Sequence, residues 1–367
     1  DELVAAEADM LPAKPENDTD ADYGRADKGT AWLLLSRLYL NAGTYLNNDG
    51  SNNPYWQEAK EYAEKVINSD YKLFDDSKES AEAKANGYKP YDLLFMGDNG
   101  SNGASCEALL PLLQDGDKTQ GWGGSLFFIA ANWNDKMATV TDKTAGTTGN
   151  NWSGMRLRPE FLQKFTKDPS IFLDKSTSEI RAMGIDDRAL IWGKGSDSDK
   201  RTIELGDNSS FYQGLTTTKW NNNYSNNGTP HDTYNVDTDF FLFRVAEAYL
   251  NAAEAEMHLN GEGSALAKQY VDAIRNRAHA STKASYTLND ILDERAREFY
   301  CEGIRRTDLI RFNQFGGKQA TYTWAYKGGS ETGNSFSKIY NVYPLPSSEV
   351  LANKNLTQID GYNESNN

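Results

Sequence analysis

A helical hairpin pattern that occurs twice constrains this chain more than any other feature. In the first copy Trp32, Leu35, Tyr39, Leu40 and Gly43 fall on one face, and Ala59, Tyr62, Ala63, Val66 and Ile67 form the stripe of a second helix. In the second copy Val245, Ala248, Tyr249, Ala252 and Ala253 make one face, and Ala267, Tyr270, Val271, Ile274 and Ala278 the next. Apolar residues three and four apart line one side of an α-helix. Leu33, Leu34 and Leu38 cover much of the remaining surface of the first helix, so it is expected to be buried nearly all round. Tyr-Leu-Asn-Ala stands at 39–42 and again at 249–252, on the first helix of each pair. Small residues at fixed places let helices approach closely, as in tetratricopeptide repeats. A solenoid normally needs about three repeats. The exposed faces therefore have to be covered by the intervening residues or by a preceding segment.

The intervening residues, 80–236, differ in character. They are rich in Gly, Asn, Ser and Thr and hold most of the tryptophans. Strand-like apolar runs are expected at 108–113, 126–131 and 189–192, with a helical turn or two at 161–165. Irregular structure held by the helices is expected here, and such loops commonly carry binding residues. The expected organisation is a helical part over 1–79, a loop-rich part over 80–236 and a helical part over 237–367. A short helix is expected within 1–11, stopped by Pro12. Near the other end Tyr-Pro-Leu-Pro at 343–346 forbids helix, and Ser347 or Ser348 can cap a last turn.

The chain has 367 residues, 53 acidic against 38 basic, for a formal net charge of −15. Phosphate backbones need clustered Lys and Arg, so nucleic acid is not an expected partner. Anionic membrane surfaces are disfavoured for the same reason. Neutral ligands such as uncharged sugars meet no such repulsion. Cys106 and Cys301 have no Cys/His ligand spacing, so zinc is not expected. No apolar run approaches the ~20 residues of a membrane helix. The chain opens Asp-Glu-Leu-Val, with no starter Met or signal-like segment, and reads as processed or truncated.

Residues 290–312 are dense in charge yet ordered. Leu292, Ala296, Phe299, Tyr300 and Gly303 fall at helical spacing, while Asp293 with Arg297 and Glu302 with Arg306 are expected to pair one turn apart. The reading Glu-Arg-x-x-Glu-Phe, then Glu-Gly-x-Arg-Arg-x-Asp-Leu-x-Arg-Phe, resembles the near-C-terminal signature of the SusD/RagB family. Further segments match that family in order. They are Tyr23-Gly24-Arg25-Ala26-Asp27 leading into Ser36-Arg37-Leu38-Tyr39-Leu40, then Trp56-x-x-Ala59, then Phe243-Arg244 with Glu247, Tyr249 and Leu250. Ile274-Arg275-x-Arg277, Tyr343-Pro-Leu-Pro and Asn355-Leu-x-Gln with Gly361-Tyr362 follow.

What the resemblance implies is specific. The fold would be mostly α, with tetratricopeptide-like hairpins and a large loop-rich region containing short strands. The protein would be a non-catalytic binder of polysaccharide or oligosaccharide, a starch-like glucan being favoured. It would sit at the outer-membrane surface as a lipoprotein and deliver its ligand to a TonB-dependent, SusC-like transporter. A typical member has well over a hundred residues before the equivalent of Tyr23, including the lipid-anchor segment. Some relatives hold calcium, to which Asp237 and Asp239 could contribute, but no ligand set stands out and no cofactor is expected.

The residues themselves allow three functions. A glycosidase needs two carboxylates flanking the scissile bond. Glu294, Glu298 and Glu302 are the best aligned set, but the plainer reading is a structural network with Arg295, Arg305, Arg306 and Arg311. No nucleophile elbow, Walker loop or dinucleotide fingerprint is present. His231, His258 and His279 have no ligand spacing. A helical groove binding a protein segment is the second alternative. The third reading is sugar binding. Sugar rings present C–H faces that stack on aromatic rings, while amides and guanidiniums read the hydroxyls. Trp122, Trp133, Trp152 and Trp220 lie in Gly- and Asn-rich loops, with Arg156 and Tyr224 nearby. These six are the expected glycan contacts, whereas Trp32 and Trp56 are expected in the core.

Overall fold

The computed structural model describes residues 2–196, 199–206 and 213–362. Both expected hairpins form. In the first, Asp27 caps helix Lys28–Leu40 by accepting the Thr30 amide at 2.8 Å, and Asn41 interrupts it before a short helix, Ala42–Asn47. Its partner Trp56–Ile67 buries Trp56, Ala59, Ala63 and Val66 on one face. With only methyl groups at 59 and 63, the backbones come close enough for Ser36 Oγ to donate to Ala59 O at 2.8 Å. Trp56 is in the core as expected, its ring stacked on His258 at 3.8 Å, but Trp32 is only half-buried. Leu38 is exposed, so the first helix is not buried all round.

The second hairpin is Val245–Asn260 with Ala265–Arg277. Its first helix is buried on nearly every side because its alanines let neighbours in from several directions. It packs against Trp56–Ile67, against Ala265–Arg277 and against Lys28–Leu40. The two hairpins are therefore adjacent in space although some 180 residues separate them in sequence. Helices Leu288–Phe299 and Arg305–Arg311 complete this layer.

Residues 290–312 fold as one amphipathic helix and a break, which re-routes the expected ion pairs. The helix ends at Phe299, Tyr300 is extended, and Cys301 takes φ 57°. Glu302 and Arg306 thus stand on different elements and do not pair. Glu302 meets Arg244 at 2.7 Å and Lys219 at 2.6 Å, while Arg306 donates to Tyr340 O and Asn341 O. Asp293 pairs with Lys164, and Arg297 turns to Glu294.

Glu294 and Glu298 are sealed in a structural network, as the plainer reading held, but with other arginines. Glu298 meets Arg188, Arg244 and Arg277; Glu294 meets Arg188, Arg275 and Arg297. Arg295 and Arg311 instead serve Asp308, and Arg311 also Glu254. Burial alone would raise the Glu294 pKa, but the guanidiniums of Arg188, Arg297 and Arg275 outweigh it and hold the group at about 2.

The middle residues have little regular structure. Ala108–Leu112 pairs antiparallel with Phe240–Arg244, with a break in register around Pro111, whose ring nitrogen cannot donate. Ile191–Trp192 pairs with Thr216–Thr217. The run expected as a strand at 126–131 is instead part of helix Ser125–Asn132. Leu126, Ile129 and Ala130 recur at i, i+3 and i+4 and face the core, and the run has only one β-branched residue. A helical turn, Pro159–Leu162, forms near the one expected at 161–165. A buried aromatic cluster including Phe74, Tyr91, Phe95, Trp133, Trp192, Trp220 and Phe240 gives these loops a rigid support.

Candidate functional site

Three aromatic side chains gather on the surface of the loop region. Trp122, Trp152 and Tyr234 are each about half exposed, at 47%, 49% and 49%. The indoles of Trp122 and Trp152 lie 5.0 Å apart at 31°, and the Tyr234 ring meets Trp122 edge-on at 5.8 Å. A solvent-facing group of this size is uncommon, because large aromatics are usually buried.

Backbone bonds place Trp152 and Tyr234, whereas Trp122 is held by its contacts with their rings. Trp122 sits between Gly121 and Gly123, where no neighbour fills the space a side chain would take. Gly124, at φ 63°, then turns the chain into helix Ser125–Asn132, whose Ser125 hydroxyl donates to Thr238 O. Trp152 N donates to Ala130 O and Met155 N to Ala131 O, both at 2.8 Å. The 152–155 loop thus takes up carbonyls at the open end of that helix. Tyr234 is fixed by Asn150 Nδ2, which donates to its carbonyl at 2.6 Å, and by its own amide on Asp232 Oδ1 at 2.7 Å. Thr148 N reaches Thr233 O at 2.7 Å.

Polar groups surround the rings. Asn151 donates to Asp135 at 3.0 Å and accepts from Thr147. The hydroxyls of Thr148 and Thr233 lie 3.0 Å apart on exposed loops. Asp237 organises the far side of the loops. Its two oxygens accept from Gly116 N, His231 N, His231 Nδ1 and Tyr224 Oη at 2.7–3.0 Å. That hydrogen bond raises the His231 pKa. Asp239 takes Gln114 N at 2.7 Å and Tyr23 Oη at 2.6 Å, and burial pushes its carboxyl up to about 7.

Of the six residues expected from sequence, two stand in the aromatic group, Trp122 and Trp152. Trp133 and Trp220 are corrections: they are 0% and 2% exposed and cannot stack on a ligand. Trp133 Nε1 donates to Trp220 O at 2.7 Å, and Trp220 lies parallel to Phe240 at 5.1 Å. Both indoles thus found a hydrogen-bond acceptor inside, which makes their burial favourable. Tyr224 is half-buried, its hydroxyl committed to Asp237. Arg156 donates to the carbonyls of Gln213, Ser153 and Met155 and lines a different cavity. Tyr234 was not expected. Its loop, His-Asp-Thr-Tyr-Asn, has the same polar and amide-rich composition as the tryptophan loops.

Asp115, His231 and Asp237 bring one possible metal-ligand atom each within 4.8 Å of one another, a set that sequence spacing did not reveal. Its members are already engaged, Asp115 with Lys118 at 2.6 Å and Asp237 as above. Cys106 and Cys301 are free thiols, and burial raises both pKa values, to about 12 and about 11. Among the described residues no helix is long and apolar enough to cross a membrane.

The chain is similar to characterised proteins across almost its whole length. It is 37% identical to the starch-binding protein SusD of Bacteroides thetaiotaomicron, over 98% of this chain and 64% of that protein. It thus spans a little under two-thirds of that relative. A SusD-like protein P25 of Formosa agariphila is 33% identical over 35% of this chain and 25% of its own length. Among solved structures, a SusD-like protein of Bacteroides fragilis superposes with a TM-score of 0.64 at 20% identity, covering 98% of this chain and 70% of that one. Surface glycan-binding protein A of Bacteroides thetaiotaomicron, in complex with laminarihexaose, gives 0.59 at 20% identity, covering 97% and 69%. The family model described as the SusD family matches residues 114–362, so on sequence, and consistently in fold, this chain belongs to the SusD family.

Proposed function

We propose that this chain binds polysaccharide or oligosaccharide without cleaving it, and that Trp122, Trp152 and Tyr234 are the stacking surface. The observation that carries the reading is the half-exposed aromatic group itself, flanked by amides and hydroxyls. Trp152 and Tyr234, held by backbone bonds, are preorganised, which lowers the ordering cost of binding. The carboxylates first considered for acid–base chemistry, Glu294, Glu298 and Glu302, are buried in ion pairs. That leaves them no access to a glycosidic bond.

A starch-like glucan is the favoured ligand, because a relative 37% identical to this chain is named a starch-binding protein. Another structural relative carries laminarihexaose, so a β-glucan is the natural competitor in a test. Residues 80–236 would form the glycan-facing part, with 1–79 and 237–367 as its helical support. The family further supports a surface lipoprotein of the outer membrane that hands its ligand to a TonB-dependent, SusC-like transporter. Two or three stacking contacts at about 0.5–1.5 kcal/mol each, with a few hydrogen bonds, suggest affinity nearer millimolar than nanomolar. Weak contacts suffice where a polymer engages many copies at once.

Affinity electrophoresis in amylopectin, laminarin and a hemicellulose, with calorimetry on the matching oligosaccharides, tests the reading. Retardation in amylopectin, lost on Trp122→Ala with Trp152→Ala, is the expected result. Retardation in none of the polymers by the unaltered protein would sink it, and release of reducing sugar would favour a hydrolase.

A further inference from the structure

A second cavity, of about 360 Å³, opens between residues 155–161, helices Leu288–Phe299 and Arg305–Arg311, and residues 315–324. That is within the size range of small-molecule sites. Phe161, Phe299, Phe315 and Trp324 make its walls apolar and aromatic. Phe315 and Trp324 lie near-parallel at 5.9 Å and 21°, and Phe161 packs against Tyr300 at 4.9 Å.

The charges around it are unusual for this protein. Acidic residues outnumber basic ones, and the buried arginines 188, 244, 277, 295 and 311 all pair with carboxylates. Arg158, Arg305 and Arg306 line the cavity, and among the described residues none of them forms an ion pair. Their hydrogen bonds go to carbonyls instead: Arg158 to Ala325, Arg305 to Leu292 at 2.7 Å, and Arg306 to Tyr340 and Asn341. Arg305 Nη2 has no hydrogen-bond partner among the described residues. The guanidiniums of Arg305 and Arg306 lie over the rings of Tyr322 and Phe315, at 5.1 and 5.0 Å. Cation–π contact of this kind offsets part of their desolvation but supplies no counter-charge. Glu160 is the one acid in the lining, its Oε1 bound to Ala325 N at 3.0 Å. Arg156 and Arg295 also line the cavity, Arg295 paired with Asp308, so the lining is positive inside an acidic protein.

We propose that this cavity binds a small aromatic carboxylate, with its ring among Phe161, Phe299, Phe315 and Trp324 and its carboxylate toward Arg158, Arg305 and Arg306. Planar guanidiniums match a carboxylate by paired N–H donors. None of Trp122, Trp152 and Tyr234 lines this cavity, although Met155 and Asn132, from the loop and helix end that hold Trp152, do.

Calorimetry of the unaltered chain with 4-hydroxycinnamate and with its methyl ester tests this directly. The acid should bind saturably and the ester about tenfold more weakly or worse, the effect of losing a charge-assisted hydrogen bond. Arg305→Gln keeps a donor for the Leu292 carbonyl and should weaken the acid by about tenfold while leaving the ester unchanged. Trp122→Ala should change neither. No saturable binding of the acid, a ratio of acid to ester below about threefold, or loss of binding on Trp122→Ala overturns the proposal. The acid–ester comparison needs no variant, so a folding defect in Arg305→Gln does not decide the outcome.

Discussion

At the scale of single residues, four tryptophans in similar loops divide into two fates. Trp122 and Trp152 stay at the surface, and Trp133 and Trp220 are sealed inside. The difference lies in what each indole meets. Trp133 and Trp220 find carbonyl acceptors and parallel or edge-on rings, whereas Trp122 is flanked by glycines with open space around them. Trp122→Ala and Trp152→Ala should each reduce glycan affinity roughly two- to tenfold with little change in melting temperature. Trp133→Ala should instead cost about 3–5 kcal/mol of stability in denaturant unfolding. A Trp122→Ala protein that binds glycan as the parent does would remove that indole from the surface. Asp239 adds a pH effect. Burial lifts its folded-state pKa from the ordinary 3.8 to about 7. The folded form therefore prefers the proton, and stability should fall as pH rises from about 4 to about 7. In Asp239→Asn that loss disappears, so melting curves of the two proteins between those limits should diverge as pH rises. Parallel curves would show that Asp239 titrates normally.

At the scale of elements, the helix Leu288–Phe299 is tied to its neighbours by charge as much as by packing. Glu298 joins Arg188, Arg244 and Arg277, which come from a loop, a strand and another helix. Removing one partner of a buried set leaves the others uncompensated, so Glu298→Gln should destabilise by about 3–5 kcal/mol. Chemical denaturation measures this, and a loss under about 1 kcal/mol would show the network to be dispensable. Glu294, held at about 2, has the opposite sign to Asp239. Its contribution is complete above the ordinary glutamate value and is lost as pH falls through about 2. Close approach matters as well. A methyl group on Gly50 would stand 1.7 Å from Arg311 O, so the loop before Trp56–Ile67 cannot accept a side chain there without moving.

At the scale of the whole molecule, the net charge of −15 separates the two proposed ligands. Binding of a neutral glycan to an aromatic surface should be insensitive to salt. Binding of an aromatic carboxylate near three guanidiniums should weaken when NaCl is raised to about 0.5 M, where charges are screened within a few ångströms. Calorimetry of both ligands in low and high salt checks this in one protein. A glycan affinity that falls with salt in parallel would mean that both probes report one charged site.

The sequence by itself determined the helical pairs, the family and the charged signature near the C-terminus. Helical periodicity and small-residue placement are local, so residues such as Ala59, Ala63, Ala252 and Ala267 declare their buried face without reference to the rest of the chain. Tertiary structure alone decided which tryptophans face water and that Tyr234 joins them. It also re-paired Glu302 and Arg306, because a backbone turn at Cys301 breaks the one-turn spacing that the sequence suggested. Loop residues carry no period. Their exposure depends on whether distant segments supply an acceptor or a packing partner, and only the folded chain brings those segments together.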